Sequence, residues 1–122
     1  MGWAMIELKS VPSLEDRLTH ILSAISAIQE TLHEISESAL ANDRMRRMAL
    51  ERFLEIVAVA SKHIPTKIKS IEHDVDWQAI EYIGDRLQNT HDRIQTHVLW
   101  TISQDKLLAL KICAERYLRE PN

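Results

Sequence analysis

Apolar residues recur in the first part of the chain at a spacing that strongly restricts its fold. Seven of them follow one another at intervals of four and three residues, namely Leu14, Leu18, Ile21, Ile25, Ile28, Leu32 and Ile35. This repeat places one narrow apolar seam along an α-helix, and such a seam packs along a neighbouring helix at a shallow angle. The sequence therefore predicts a long first helix that is capped by Ser13 and lies in a bundle or across a dimer.

Two further segments with helical periodicity follow. A second helix is predicted from about Leu40 to Ile64, where Pro65 stops it because proline cannot continue a helix. A third helix begins after Asp76, whose carboxylate is a favourable N-cap. Residues 65–75, between the two helices, lack strong periodicity and are interpreted as a connection.

The apolar pattern in the last part of the chain predicts one more helical stretch, with an interruption. Its apolar pattern restarts at Val98, with Thr96 as a candidate N-cap, and a break is expected near Ser103 because Asp105 can cap a new helix. The whole chain has 2 Gly and 3 Pro, which leaves little turn chemistry for a β-sandwich or barrel. The predicted fold class is therefore all-α, an antiparallel helical bundle of four main helices.

Length and composition fit a single domain. The 122 residues can bury a sizeable core, and residues 1–122 are interpreted as one helical domain with residues 1–12 as an N-terminal extension. No apolar run approaches the roughly 20 residues that a membrane span needs, so a soluble protein without membrane contact is predicted. The single cysteine, Cys113, excludes an internal disulfide and favours a reducing compartment, which makes the cytoplasm the expected location.

Charge and motif content argue against several functions. The net charge is −3 and no basic tail or stripe is present, which disfavours a protein that holds long duplexes, although a local cluster can still bind one phosphate. The 6 histidines show no metal-binding spacing. The sequence also lacks a nucleophile elbow, a phosphate-binding glycine-rich loop and a Cys-x-x-Cys pair, so neither a metal nor a cofactor is predicted.

One pair of residues within segment 84–93 has side chains that are suited to catalysis. Arg86 and His91 are five residues apart, so on a regular helix their side chains would point about 140° away from each other. They meet only if the chain leaves the helix near Asn89 to His91, or if a second subunit supplies the other member of the pair. A guanidinium offers two parallel donors to a phosphate, and an imidazole gives and takes a proton near neutral pH. Together they suffice to cleave RNA without a metal, through attack of the neighbouring 2′-hydroxyl, although on spacing alone the alternative is a solvated helix end.

The wider sequence resembles a known family over nearly its whole length. The matching segments occur in the same order, at 17–21 (RLTHI), 50–57 (LERFLEIV), 64–65 (IP), 77–80 (WQAI), 84–86 (GDR), 91–92 (HD), Trp100 and Asp105. They resemble the HEPN family and, within it, the HepT-like toxins. The resemblance implies a small all-helical domain that dimerises, with the Arg-x4-His motifs of two subunits facing one cleft to form a metal-independent endoribonuclease.

The resemblance also implies a partner and a set of residue roles. The family's usual partner is a minimal nucleotidyltransferase of the MNT type, which acts as the antitoxin and in some pairs modifies a tyrosine two residues after the histidine. In a toxin whose substrate is RNA, Arg86 would lie on the scissile phosphate and His91 would be the general acid or base. Arg93, with Arg46 or Arg47, is expected to supply auxiliary phosphate contacts.

Three positions depart from the family pattern. Leu87 stands where a polar residue usually follows the arginine, Arg93 occupies the position of the modified tyrosine, and Val59 stands where a glutamate is common. Tyr82 is the only tyrosine near the motif and is expected to pack. Two alternatives to an active toxin therefore stay open. One is a catalytically degenerate HEPN subunit that binds a nucleotide, RNA or a nucleotidyltransferase partner, and the other is a purely structural helical dimer.

Overall fold

The computed structural model describes residues 12–89 and 93–120, in which helices are joined by short connections and no strand occurs. The helices are α1 (Leu14–Thr31), α2 (Glu37–Ala41), α3 (Arg44–Lys62), α4 (Thr66–Ile71), α5 (Trp77–Gln88), α6 (Thr96–Thr101), a π-helical turn (Ile102–Lys106) and α7 (Leu107–Arg119). The prediction of an all-α fold is confirmed. Within the described ranges, no helix combines the length and the apolar character needed to cross a membrane.

The long helices form an antiparallel bundle. Helix α1 packs against α3 and α7, and α3 packs against α5. At one end of the bundle, Nη1 of Arg46, in the first turn of α3, donates to the carbonyl oxygen of Thr31 at the end of α1 at 2.8 Å. At the other end, Leu14 at the start of α1 lines the same groove as Leu118 near the end of α7. The predicted bundle of four main helices is therefore confirmed, with α6, the π turn and α7 together forming the fourth.

The apolar seam of α1 lies inside this bundle. Its buried members are Leu18, Ile21, Ile25, Ile28 and Leu32. They pack in one core cluster with buried residues of α3, α5 and α7, such as Leu54, Ile80 and Leu110. The spacing allowed the seam to lie in a bundle or across a dimer, and in the structure it lies inside the bundle. Burial of large aliphatic side chains is the main favourable contribution to its stability.

Two predicted N-caps are present as hydrogen bonds. The backbone N–H of Asp16 donates to Ser13 Oγ at 3.1 Å, and the N–H of Ser13 donates to Asp16 Oδ2 at 2.9 Å, so the start of α1 is a reciprocal capping box. At the start of α5, the N–H of Ala79 donates to Asp76 Oδ1 at 3.1 Å. These side chains satisfy N–H groups that have no partner within their own helix.

The boundaries of the first two predicted helices differ from the structure. Helix α1 ends at Thr31 instead of continuing to Ile35, and Glu34 in the following turn has a φ of 58°, a left-handed conformation that no helix continues through. The predicted helix from Leu40 is divided, because Asp43 accepts from the N–H of Arg46 and caps a new helix there. The interpretation of residues 65–75 as a plain connection is also incomplete, since this stretch contains α4.

Two N-caps predicted in the fourth helix, Asp105 and Thr96, are wrong. The break predicted near Ser103 corresponds to the π-helical turn, which interrupts the α-helix between α6 and α7. Ser103 lies in this turn and donates its hydroxyl to the carbonyl oxygen of Leu99 at 2.7 Å. Asp105 also lies inside that turn and is not an N-cap, because the chain is already helical before it. Thr96 is the first residue of α6, and the preceding N-cap, Gln95, makes no side-chain cap bond.

Helices α3 and α5 approach each other closely at a glycine. A Cβ atom placed on Gly84 would lie 2.3 Å from Cβ of Ala58, a separation that real carbon atoms do not adopt. Ala58 is fully buried, and Gly84 is buried as well. The absence of a side chain at Gly84 therefore lets the backbone of α5 contact α3 only two residues before Arg86.

We expect Gly84→Ala to destabilise the protein. The added methyl group overlaps Ala58, and such overpacking costs roughly 1–3 kcal/mol, whereas the better helix propensity of alanine returns up to about 1 kcal/mol. Urea denaturation should show a lower midpoint for Gly84→Ala. The double variant Ala58→Gly/Gly84→Ala moves the methyl group to the other helix and should restore most of the loss. A midpoint for Gly84→Ala equal to or above that of the wild type would contradict this account.

Candidate functional site

Arg86 is held near the C-terminal end of α5 by a tyrosine one turn earlier. Its Nη1 donates to the hydroxyl oxygen of Tyr82 at 2.9 Å, and its guanidinium carbon lies 5.8 Å from the centre of the Tyr82 ring. Tyr82 is 57% exposed, so it packs against Arg86 and not in the core. The pair has the i, i+4 spacing at which side chains meet on one helix face. This contact limits the rotamers of a partly exposed arginine and leaves it at the surface of the bundle.

The helix that carries Arg86 ends before the position of His91. The last residue of α5 is Gln88, and Asn89 has φ −88° and ψ 99°, an extended conformation. The N–H of Asn89 still donates to the carbonyl oxygen of Arg86 at 3.1 Å, which closes the final turn. The chain thus leaves the helix at Asn89, as a joint site requires. Residues 90–92, including His91, lie outside the described residues, so the meeting of Arg86 with His91 stays a prediction.

At Arg93 and Ile94, the chain lies against α3. Arg93 is exposed and lines a shallow surface depression together with Arg44, Met48 and Glu51 of α3. The next residue, Ile94, is 4% exposed and belongs to the core. Arg93 therefore lies at the surface beside an anchored residue, where its guanidinium can reach an anion in solution.

Arg47 lies inside the protein and bonds the same returning segment. Its side chain is 8% exposed, and Nε lies 3.3 Å from Oε2 of Glu51. Its Nη2 donates to the carbonyl oxygen of Ile94, and its Nη1 donates to the hydroxyl oxygen of Thr96. All three guanidinium nitrogens thus have protein partners. A phosphate contact by Arg47 stays a sequence prediction, and the structure gives this side chain a different set of partners.

Arg46 contacts a different part of the bundle from Arg47 and Arg93. Its Nη1 donates to the carbonyl oxygen of Thr31, and its Nε lies 3.0 Å from Oδ2 of Asp43. Arg46 therefore helps to close the C-terminal end of α1, where carbonyl groups lack helical partners. Of the three arginines that were predicted as auxiliary phosphate contacts, Arg47 and Arg93 line one depression, which does not include Arg46.

Acidic residues near both ends of α5 pair with lysines of other helical elements. At the start, the N–H of Ala79 and the ammonium of Lys106, which is 3.1 Å away, lower the pKa of Asp76 from its ordinary value of 3.8. Near the end, Asp85 pairs with Lys62 of α3. Both ends of the helix that carries Arg86 are therefore tied to neighbouring elements by charged groups.

Comparison with known proteins assigns this bundle to a class of RNA-cleaving enzymes. The family model described as Ribonuclease HepT-like matches residues 21–117, a range that contains Arg86 and His91. The chain is also 30% identical over 99 residues to the probable ribonuclease HepT of Thermococcus cleftensis, and the match covers 81% of this chain and 90% of that protein. This chain belongs to the HepT-like ribonuclease family.

Other similarities are shorter. The HTH-type transcriptional regulator MntR of Shouchella clausii is 42% identical over 43 residues, which cover 35% of this chain and 30% of the regulator. The regulator of the same name from Geobacillus kaustophilus is 40% identical over 43 residues, with the same coverage of both chains. No solved structure matches the chain.

The cap at the start of α5 generates a pH-dependent prediction. Asp76→Ala should lower the free energy of unfolding by about 1 kcal/mol at pH 7, and Asp76→Asn should keep most of the cap. Because the pKa of Asp76 is lowered in the folded protein, its ionised form contributes stability above pH 3.8, and this contribution is lost as the pH falls through the lowered pKa. Denaturant titrations at pH 7, 5 and 3.5 should show the difference between wild type and Asp76→Ala shrinking only at the lowest pH. A difference that is independent of pH would contradict this prediction.

Proposed function

We propose that this protein is a metal-independent endoribonuclease in which Arg86 and His91 act on one phosphodiester of RNA. Its membership of the HepT-like ribonuclease family supports RNA cleavage as the class of reaction. The observation that carries the choice of residues is the end of α5 at Gln88, because an unbroken helix would hold the two side chains apart. The extended conformation of Asn89 removes that obstacle on the Arg86 side.

The proposed reaction uses the 2′-hydroxyl of the substrate as the nucleophile. A neutral His91 imidazole takes the proton of the 2′-hydroxyl, and the 2′-oxygen forms a bond to the adjacent phosphorus. The bond from phosphorus to the 5′-oxygen breaks, and a protonated imidazole returns a proton to that oxygen. The products are a 2′,3′-cyclic phosphate and a 5′-hydroxyl. The Arg86 guanidinium stabilises the negative charge that accumulates on the phosphoryl oxygens in the transition state.

A homodimer completes this site in the proposal. Proton transfer in this reaction uses His91 as general acid or base, and each copy of the chain supplies one His91. A cleft between two copies brings both together with two copies of Arg86. Exposed apolar side chains remain outside the core, among them Val98, Leu108 and Ile112 on the fourth helix. These supply surface that a second copy can cover.

The biological role that we propose is that of a toxin in a toxin–antitoxin pair in the cytoplasm. Its antitoxin would be a nucleotidyltransferase of the MNT type. Because Arg93 stands at the position of the family's modified tyrosine, this chain offers no hydroxyl for modification there. Arg93 instead adds positive charge two residues after His91, which suits the auxiliary phosphate contact predicted for it, with Arg46 as a further candidate.

A catalytically degenerate subunit is the second candidate function. Leu87 replaces the usual polar residue next to Arg86, and the depression lined by Arg44 and Arg93 can hold an anionic partner without any reaction. In this alternative the protein binds a nucleotide, RNA or a nucleotidyltransferase. This alternative predicts that the protein binds RNA without cleaving it. If the protein is a purely structural dimer, neither binding nor cleavage is expected.

Alanine substitutions distinguish these possibilities. Arg86→Ala and His91→Ala should each lower the rate of RNA cleavage by about 10²- to 10⁴-fold, because one removes charge stabilisation and the other removes proton transfer. Gel analysis of a labelled RNA and mass spectrometry of the cyclic phosphate product measure this loss. Exposed residues elsewhere give matched controls, Arg119→Ala for the arginine and His33→Ala for the histidine, and both should cleave at the wild-type rate.

The outcome of that assay separates the candidate functions. RNA binding by fluorescence anisotropy, without cleavage by the wild type, would favour the degenerate subunit and contradict the enzyme. Cleavage that persists unchanged in His91→Ala would remove the proposed mechanism. Thermal denaturation of each variant shows whether a lost activity reflects a lost fold.

The dimer makes a separate prediction. Light scattering at micromolar concentration should give twice the mass of one chain. Mixing inactive Arg86→Ala with inactive His91→Ala should restore part of the activity, because exchange of subunits creates dimers that hold one arginine and one histidine in the same cleft. A monomer mass, or a mixture as inactive as its components under conditions that exchange subunits, would contradict the shared site.

A further inference from the structure

A groove on the outside of the bundle is lined by α1, α3 and α5. Helix α1 contributes Arg17 and His20 to its lining, α3 contributes Arg52, and the last turn of α5 contributes Gln88. The groove has a volume of about 260 Å³, whereas sites that enclose a whole small molecule usually have roughly 300–1,000 Å³. It is therefore suited to one unit of a longer chain that remains mostly in solvent.

The two basic side chains on α1 are available to a ligand. Arg17 and His20 are three residues apart, a spacing that places both on one face of the helix. His20 is exposed and Arg17 is partly exposed. Within residues 12–89 and 93–120, neither side chain forms a hydrogen bond or an ion pair with another protein group. Both can therefore donate N–H bonds to an anion in the groove.

The third basic side chain, Arg52, extends from α3. It is 69% exposed, and its Nη1 lies 3.1 Å from Oε1 of Glu55, which also lines the groove. An exposed pair of this kind contributes at most about 1 kcal/mol, and the guanidinium keeps further N–H donors for a ligand. With two arginines and one carboxylate, the groove has an excess of positive charge, although the chain carries a net charge of −3.

Asp16 is a second carboxylate near these basic groups. Hydrogen bonds from Ser13 hold the pKa of Asp16 below its ordinary value of 3.8, and the nearby charges of His20 and Arg17 lower this pKa further. The carboxylate caps the start of α1 and does not line the groove. The excess of positive charge among the lining residues is therefore retained.

The groove also has apolar surface and lies next to the helix end that carries Arg86. Ile56 and Val59 of α3 line it, and Val59 is 37% exposed. A nucleotide combines a phosphate with a base that packs on apolar surface, so these side chains and the arginines match its two parts. Gln88 and Arg86 leave the last turn of α5 about 200° apart. The groove is therefore close to the proposed reacting site and separate from it.

We infer that this groove binds one nucleotide of the single-stranded RNA substrate beside the bond that is cleaved. The inference rests on the proposed ribonuclease function and extends it to how the substrate is held. Arg17 and Arg52 bind the phosphate of this nucleotide, and the imidazole of His20 donates one N–H to it. The base or the sugar packs against Ile56 and Val59. Because these groups do not contact the reacting bond, they strengthen substrate binding without raising kcat.

Binding of an RNA that does not react gives the direct test. The probe is a labelled single-stranded RNA with a methyl group on every 2′-oxygen, which lacks the nucleophile of the proposed reaction, and fluorescence anisotropy reports its binding. Arg17→Gln and Arg52→Gln should each raise Kd by roughly 3- to 10-fold. Each should also reduce the slope of log Kd against log salt concentration by about 0.7, the contribution of one phosphate contact with a single strand. Arg119→Gln, a change of an exposed arginine at the end of α7, should alter neither quantity.

The same variants make a kinetic prediction with unmodified RNA. Arg17→Gln and Arg52→Gln should raise KM by a factor similar to the change of Kd and keep kcat within about 2-fold of the wild type. A residue that only stabilised the fold would not change the salt dependence of binding. Light scattering of each variant shows whether the mass of the protein is unchanged.

A change of charge within the groove gives a second test. Val59→Glu should raise Kd for the methylated RNA more than Val59→Gln does, because the two new side chains have similar size and only the glutamate repels a phosphate. The difference between them should shrink at high salt, which screens exposed charges. Equal effects of the two substitutions would contradict a phosphate in the groove.

The readouts separate the inference from the function on which it rests. A wild-type protein that cleaves no RNA overturns the proposed ribonuclease, and weaker binding of the methylated RNA by Arg17→Gln and Arg52→Gln would still support the groove. Cleavage by the wild type, with KM and the salt dependence of binding unchanged in both variants, overturns the groove alone. A wild type that neither binds nor cleaves RNA overturns both.

Three further outcomes would overturn the groove as an RNA site. The first is a lower kcat at unchanged KM in Arg17→Gln or Arg52→Gln, which would make these residues part of the reacting site. The second is competition by adenosine monophosphate with an affinity equal to that of the RNA, which would make the groove a site for a free nucleotide. The third is a changed mass of the variants in light scattering, which would make the groove a contact between copies of the chain.

Discussion

The contact between Gly84 and Ala58 fixes the helix that carries Arg86. Because Gly84 has no side chain, only the methyl group of Ala58 lies between the two backbones there, and α5 packs closely against α3. Further along the chain, residues 94–96 return to α3 and are held by Arg47. One helix thus supports the chain on both sides of the Arg-x4-His motif. For the proposed reaction, which uses an arginine and a histidine placed together, this common support is a simple way to hold two residues that no regular helix brings together.

Local patterns predicted the helices well where a periodic apolar seam and a side-chain cap agreed. Helix α1 shows both, with its seam buried and Ser13 in a capping box, and α5 shows the expected Asp76 cap. The errors lie at the division of the helix predicted from Leu40, where Asp43 is the N-cap of α3, and in the fourth helix. Asp105 is typical of an N-cap but lies inside a π-helical turn, because the packing of the fourth helix outweighs a cap worth about 1 kcal/mol. Helix boundaries are decided by such small differences.

The candidate site was predictable only in part, for a related reason. The position of Arg86 at a helix end could be anticipated from its spacing to His91, and the contact with Tyr82 follows the i, i+4 rule. The partners of Arg47 lie 47 and 49 residues further along the chain, so no periodicity in the neighbourhood of Arg47 shows them. The sequence identified Arg47 as an arginine near the predicted site, but its burial and its partners depend on how residues 94–96 pack against α3.

The charge balance of the protein suggests how such a site would use its arginines. The chain carries a net charge of −3, so its overall field does not attract RNA, and favourable contacts have to be local. Arg47 and Arg46 are paired with Glu51 and Asp43, which leaves less of their charge for an approaching phosphate. Arg93 is exposed, and its place two residues after His91 in the sequence suits the auxiliary phosphate contact that we propose for it. A ribonuclease built in this way would attract RNA mainly at the bond that reacts, where stabilisation of the negative charge in the transition state increases the rate. It would hold a long duplex only weakly.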